Sequence, residues 1–288
     1  MQARSNPVSH ASQIAELLPK VPAITLGFWF IKILATTLGE TAGDSVSMSW
    51  LGETTDEATG WGYLIGTAIF FVPLVILIQA QIKARQFHPM LYWATILAST
   101  TAGTTLADFS TRSIFTRLFG VDETISYLLA SIMLLACVIG TLAIWRRTLG
   151  TVDVASVCEP RAEWFYWITI TFSQTLGTAL GDWTADSFPE DATFMGLESS
   201  YLLGALIFIA ALAVVAALYR FSKLSHAALF WAAFVLTRPL GATVGDFLDK
   251  PLSEGGLDFS RPLATAALFL AIGACIYLLP QRAAKAAH

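Results

Sequence analysis

The chain has 288 residues, of which 55% are hydrophobic and 13% charged, with a formal net charge of −4 and a mean hydropathy of +0.63. A soluble domain carries roughly twice that charged fraction, so the composition excludes an ordinary water-soluble globule and points to a membrane protein. Cys137, Cys158 and Cys275 show neither CxxC nor Cys/His spacing, which excludes a thiolate metal centre and leaves them as small apolar residues.

The start, "MQARSNPVSHASQIAELLPK", lacks the short apolar core and small-residue cleavage site of a secretory leader and reads as a polar tail over residues 1–20. Eight apolar windows follow, each wide enough to carry about 20 helical residues through roughly 30 Å of hydrocarbon. They are Val21–Met48, Gly62–Ile82, Met90–Phe109, Ile125–Trp145, Trp164–Trp183, Tyr201–Phe221, Ala227–Phe247 and Leu263–Leu279. Lys32 and Arg238 interrupt the first and seventh. A transmembrane barrel would show strands of about 10 residues with alternating polarity, so the expected fold is an all-α integral membrane bundle of eight transmembrane helices. A linker at 148–162 separates a first half, 21–147, from a second, 163–280, and 281–288 forms a second tail.

Laid against itself, the chain repeats. Trp29, Trp93, Trp167 and Trp231 are each followed ten residues on by Gly39, Gly103, Gly177 and Gly241, and five further by Asp44, Asp108, Asp182 and Asp246. The even windows repeat as "GYLIG", "SYLLA" and "SYLLG" at 62–66, 126–130 and 200–204, with "ATAAL" at 264–268 in the fourth copy. The unit reads as a helical hairpin. Four hairpins in two pseudosymmetric halves make parallel repeats about an axis along the membrane normal, with all four aspartates on one side.

Arg4, Lys20, Lys83, Arg85, Arg146, Arg147, Arg161, Arg220, Lys223, Arg282 and Lys285 crowd the tails and the loops opposite the motif, whereas Arg112, Arg117, Lys250 and Arg261 lie on the motif side. The positive-inside rule then puts both termini in the cytoplasm. The motif-side acids Glu53, Asp56, Glu57, Asp122, Glu123, Asp186, Glu190, Asp191, Glu198, Glu254 and Asp258 read as solvated loop charge, or alternatively as a cation-attracting vestibule.

Residues four apart share a helix face. Walking back from the aspartates by fours collects Glu40, Thr36 and Lys32, then Thr104 and Thr100, then Thr178 and Gln174, then Ala242 and Arg238. Each odd helix thus carries one polar edge, and charged groups in a bilayer turn inward and find partners. Asp44, Asp108, Asp182, Asp246 and Glu40 are the expected cation ligands, with Thr104, Thr178 and Gln174 lining the chamber. Lys32 and Arg238 are the compensating charges. The structural alternative is that the aspartates cap helix ends and pair with Arg112, Arg117 or Lys250.

The helix "VPAITLGFWFIKILATTLGETAGDSVSMSW" and the tandem Trp/Gly/Asp units resemble a bacterial family of multi-pass membrane proteins built from repeats of unknown function, over essentially residues 21–280. That resemblance implies an architecture and a bacterial inner-membrane location, but no activity. A weaker similarity is to manganese and calcium exchangers that carry an acid, an apolar residue and Gly-Asp followed by a basic residue and a hydroxyl. Gly43 and Asp44 match, Glu40 lies one position further back, and Ser45 stands at the basic position.

His10, His88, His226 and His288 lie away from the acidic edge, and no Gly-rich phosphate loop is present, so neither a His-based metalloenzyme nor a nucleotide-driven pump is expected. A two-aspartate membrane hydrolase would use Asp182 and Asp186. The favoured expectation is no enzyme and no resident cofactor, but a secondary transporter or exporter of a cation, divalent manganese or calcium among the candidates, proton-coupled through the same carboxylates. The other classes are a carrier or channel for an organic cation or small polar solute, prompted by Phe109, Trp183 and Phe247 beside the acids, and a non-transporting scaffold or sensor. The expected partners are the bilayer and the cation.

Overall fold

The computed structural model of the chain describes residues 19–55, 58–189, 192–194 and 197–284. The tail through residue 18, Asp56, Glu57, Glu190, Asp191, Met195, Gly196 and the tail from residue 285 lie outside the described residues.

Among the described residues eight α-helices are formed: α1 Leu26–Asp44, α2 Trp61–Lys83, α3 Pro89–Asp108, α4 Glu123–Leu149, α5 Pro160–Asp186, α6 Ser200–Phe221, α7 His226–Asp249 and α8 Arg261–Leu278. Their starts carry ordinary capping chemistry. Thr25, Asp122, Ser199 and Ser225 accept from the third backbone N–H beyond them, and Pro89 and Pro160 open α3 and α5, where a missing donor costs nothing. Beyond Asp44 and Asp108 the chain continues in wider π turns, Ser45–Trp50 and Phe109–Leu118, whereas α5 and α7 end directly. A two-residue hairpin, Thr193–Phe194 with Leu197–Glu198, joins α5 to α6.

Five of these helices, α2, α4, α6, α7 and α8, are long and apolar enough to cross a membrane. The others, α1, α3 and α5, fall short because their interiors carry the polar edge. In α3 alone Thr95, Ser99, Thr100, Thr101, Thr104 and Thr105 are buried.

The odd helices form an inner ring in the order α1, α3, α5, α7 and back to α1. The repeat glycines set its spacing. A Cβ placed on Gly39 would overlap the Thr100 side chain of α3, one on Gly103 would lie 2.9 Å from the backbone carbon of Gln174 in α5, one on Gly177 3.0 Å from that of Arg238 in α7, and one on Gly241 2.8 Å from that of Thr36 in α1. Each glycine thus admits the residue eight before the aspartate of the next helix, and the contact recurs four times around the ring. One turn later Gly43 meets Thr104, Gly181 meets Ala242 and Gly245 meets Glu40, so neighbouring inner helices run parallel and in register.

The repeat is not a packed hairpin, which corrects the sequence reading. Each outer helix lies mainly on the inner helix of the following repeat: α2 on α3, α4 on α5, α6 on α7, and α8 on α1 to close the circle. A connection this short leaves the turn-side ends adjacent while the glycine contacts draw the inner helices away to their own neighbours. The closure brings the two ends of the described chain together, with Ala23 N–H donating to Arg282 O (2.8 Å) and Ala284 N–H to Val21 O (2.9 Å). Lys20 ties the same end, its Nζ donating to Glu163 Oε1 (2.7 Å) and to the carbonyls of Gln81 and Ile82.

Glu53 is not a solvated loop charge. Its carboxylate accepts from the N–H groups of Gly60 (2.8 Å) and Gly62 (2.6 Å), closing the turn before α2.

Candidate functional site

Because the inner helices are parallel and in register, equivalent positions stack as layers along the ring. The layer nearest the tails is Phe28, Tyr92, Tyr166 and Phe230, all buried, with the two tyrosine hydroxyls 2.7 Å apart. Trp93, Trp167 and Trp231 pack beside it. This end of the axis is sealed by rings.

The next layer is Lys32, Ile96, Ile170 and Phe234, each fully buried. Lys32 Nζ lies 4.2 Å from the centre of the Phe234 ring and has no hydrogen-bond partner among the described residues. Expected as a compensating charge, it makes no ion pair with an acid among the described residues. Above it, Thr36, Thr100, Gln174 and Arg238 fill a layer with no exposure. Gln174 donates a long 3.5 Å bond to Ser99, so it joins α3 to α5 and does not line an open chamber.

Arg238 ties the ring together. Its Nη1 donates to Glu40 Oε2 (2.8 Å), and its Nη2 to Thr104 Oγ1 (2.6 Å) and Thr178 Oγ1 (2.5 Å), so one guanidinium from α7 touches α1, α3 and α5. A planar fork with several donors suits three acceptors converging from different helices, as a lysine would not. The space expected for a cation among Glu40, Thr104 and Thr178 is therefore filled by Arg238.

The aspartates form the following layer. Asp44, Asp108 and Asp246 are buried, and Asp182 is half-buried. Glu40, Asp44 and Asp246, all from α1 and α7, bring one carboxylate oxygen each to within 4.8 Å of one another, a spacing at which hard cations are chelated. Lys250 Nζ stands at this cluster, 3.3 Å from Asp44 Oδ2 and 3.3 Å from Asp246 Oδ1, with Met48 Sδ at 3.8 Å. Burial of Lys250 would pull its pKa down; the Asp44 and Asp246 carboxylates outweigh that and raise it, so the ammonium stays charged. Asp44 Oδ1, in a residue only 1% exposed, has no partner among the described residues. On the other side Asp108 Oδ1 accepts from Arg112 Nε (3.4 Å), the Arg112 Nη1 donates to Glu123 Oε1 (2.6 Å), and Asp108 Oδ2 has no partner among the described residues.

A cavity of about 50 Å³ opens beside this layer between Arg112, Tyr127, Asp182, Tyr201, Asp246 and Lys250. That volume holds a water or two, or one small ion. The structure thus gathers Glu40, Asp44 and Asp246 at one seam, leaves Asp108 across the ring with Arg112, and puts Asp182 on the cavity wall.

Lys250 and Arg112 entered the sequence reading only as partners of the aspartates in the structural alternative, and such pairs are present, Lys250 with Asp44 and Asp246 and Arg112 with Asp108; Asp249 was not singled out. Asp249 is buried with Arg261 Nε at 3.8 Å. The signal for the first two is the same four-residue walk taken forward: one turn beyond the aspartates stand Met48, Arg112, Asp186 and Lys250. Tyr127 and Tyr201 could have been found as the shared tyrosine of "SYLLA" and "SYLLG".

Four copies of one repeat, DUF347, a repeat of unknown function, match residues 27–87, 91–151, 165–225 and 229–281. The chain belongs to the DUF347 family. Each DUF347 repeat contains one inner and one outer helix, so the ring is four repeats closed on themselves. No curated protein and no solved structure matches the chain.

Proposed function

We propose that the chain is a secondary carrier of a cation, divalent manganese or calcium being the best-fitting class, which enters at the acidic end of the ring and exchanges against protons on the same carboxylates. In this reading all eight helices cross a bacterial inner membrane, with the basic, tail-bearing end in the cytoplasm and the aspartates toward the outer face. Seams between inner helices supply the route, and no enzyme chemistry is involved.

The observation that carries the proposal is the meeting of Glu40, Asp44 and Asp246 within 4.8 Å in a buried setting, beside an unpaired oxygen of Asp44. Like charges this close persist only with positive company, and a carboxylate buried in a membrane helix without a full complement of partners marks a pathway more often than a strut. The layers support a state open on one side: a polar cavity at the aspartates, aromatic closure at Tyr92 and Tyr166. The Gly43-Asp44 likeness to manganese and calcium exchangers points to the same class.

The test is flux into proteoliposomes, with Mn²⁺ and Ca²⁺ against a panel of amines at two imposed pH gradients. Asp44→Asn and Asp246→Asn should each abolish metal flux, and Glu254→Gln, at an exposed loop acid, should not. Flux of an amine but of no metal would move the protein to the organic-cation class, and unchanged flux in both aspartate variants would remove the site.

A further inference from the structure

Lys250 occupies the place where the carrier reading puts its substrate. Its ammonium sits 3.3 Å from one oxygen of each of Asp44 and Asp246, in a residue 9% exposed that also forms part of the cavity wall. It follows α7 directly, where Pro251 and a short 3₁₀ turn, Leu252–Glu254, begin the connection to α8. Both ion-pair distances exceed the 2.7–2.9 Å of a strong charge-assisted hydrogen bond, so the ammonium is shared between two acids and bound closely to neither.

We propose that Lys250 is a tethered competitor for the transported cation, leaving the Asp44–Asp246 pair when that cation binds, and that this competition selects divalent over monovalent ions. The inference rests on the carrier reading and names how its site discriminates.

The charges give the reason. Glu40 is already paired with Arg238, and Arg261 Nε lies 4.0 Å from Asp44 Oδ2 and 3.8 Å from the buried Asp249, so Asp44, Asp246 and Asp249 face two positive charges, of which Lys250 is the one bridging Asp44 and Asp246. A monovalent ion brings only the charge that Lys250 supplies, and it must displace a group held at an effective concentration of about millimolar or more by its short tether. A divalent ion neutralises both carboxylates and gains the unpaired Asp44 oxygen as a further ligand. The freed ammonium moves toward the cavity, where Asp182 and Asp186 also stand. No covalent change is involved, only exchange of one cation for another.

The experiment is equilibrium titration of the purified full chain in detergent with Mn²⁺, Ca²⁺ and Na⁺, for the wild type, Lys250→Met, Lys250→Arg and Asp44→Asn. Removing the tethered charge should tighten Mn²⁺ and Ca²⁺ binding by about tenfold or more and let Na⁺ compete where it had not, and Lys250→Arg should keep the wild-type order. Equal or weaker Mn²⁺ binding by Lys250→Met, with binding lost in Asp44→Asn, would overturn the competitor role and leave the carboxylate site standing. No Mn²⁺ or Ca²⁺ binding by wild type and Lys250→Met alike would overturn both. Should Lys250→Met not purify as a single species, Lys250→Gln, which keeps a polar head without the charge, is read the same way.

Discussion

The seam between α1 and α7 and the seam between α3 and α5 are built on one backbone plan and do different things. In both, a repeat glycine lets a neighbour's backbone approach: Gly241 against Thr36 in the first, Gly103 against Gln174 in the second. The first seam brings together Glu40, Asp44, Arg238, Asp246 and Lys250. At equivalent depths the second has Thr100, Thr104, Gln174 and Thr178, with Asp108 drawn off to Arg112 and Asp182 half-buried on the cavity wall. Fourfold packing is thus kept while charge is concentrated where the first and last repeats meet. Small residues at one register serve to hold helices close, and the residues between them are free to differ, so a repeat protein can place one site in a ring of four similar seams.

The largest difference between the seams should come from the Glu40–Arg238 pair. Arg238→Met leaves Glu40 buried and uncompensated, for an expected cost of about 3–5 kcal/mol. Monodispersity and thermal unfolding in detergent should show that loss, and Glu40→Gln combined with Arg238→Met should recover part of it. A double variant no better than the worse single one would mean the two groups are not coupled.

Packing should be the next effect, and it should be the same at both seams. Gly241→Ala and Gly103→Ala each push a methyl against neighbouring backbone, for about 1–3 kcal/mol, whereas Gly140→Ala in α4 meets nothing within 4 Å and should be neutral or slightly stabilising. Unequal costs for Gly241→Ala and Gly103→Ala in unfolding midpoints would contradict the shared plan.

The smallest effects belong to single polar contacts. Thr178→Val removes one acceptor from the buried Arg238 and should cost about 1–3 kcal/mol, while Gln174→Leu, which gives up only a 3.5 Å bond to Ser99, should cost under about 1 kcal/mol. The reverse order in thermal shift would place the functional polarity on the wrong seam.

The repeat and the inward polar edge were legible in the sequence because both are periodic: the Trp, Gly and Asp spacing marks four equivalent helices, and steps of four trace one face. Which helix each outer segment covers was not legible, since a hairpin and a strand of helices handed on to the next repeat have the same hydropathy pattern. At the site, Glu40, Asp44 and Asp246 were readable as inward acids. Their grouping at one seam was not, because it depends on the order of helices around the ring. Lys250 and Arg112 were one further step along the same face, and they were read as partners of the aspartates only in the structural alternative because they stand past the apolar windows. Lys32 was read with Arg238 as a compensating charge from its place on that edge; the ring instead lays its ammonium over Phe234 and gives Glu40 to Arg238.

The central claim, that a cation is held at the α1–α7 seam, is tested most directly by anomalous scattering from the full-length protein crystallised with Mn²⁺. The account predicts one peak per chain between Asp44 and Asp246, with the Lys250 ammonium withdrawn toward the cavity. A manganese peak elsewhere in the ring, or none while Lys250 still bridges the two aspartates at saturating metal, would contradict it.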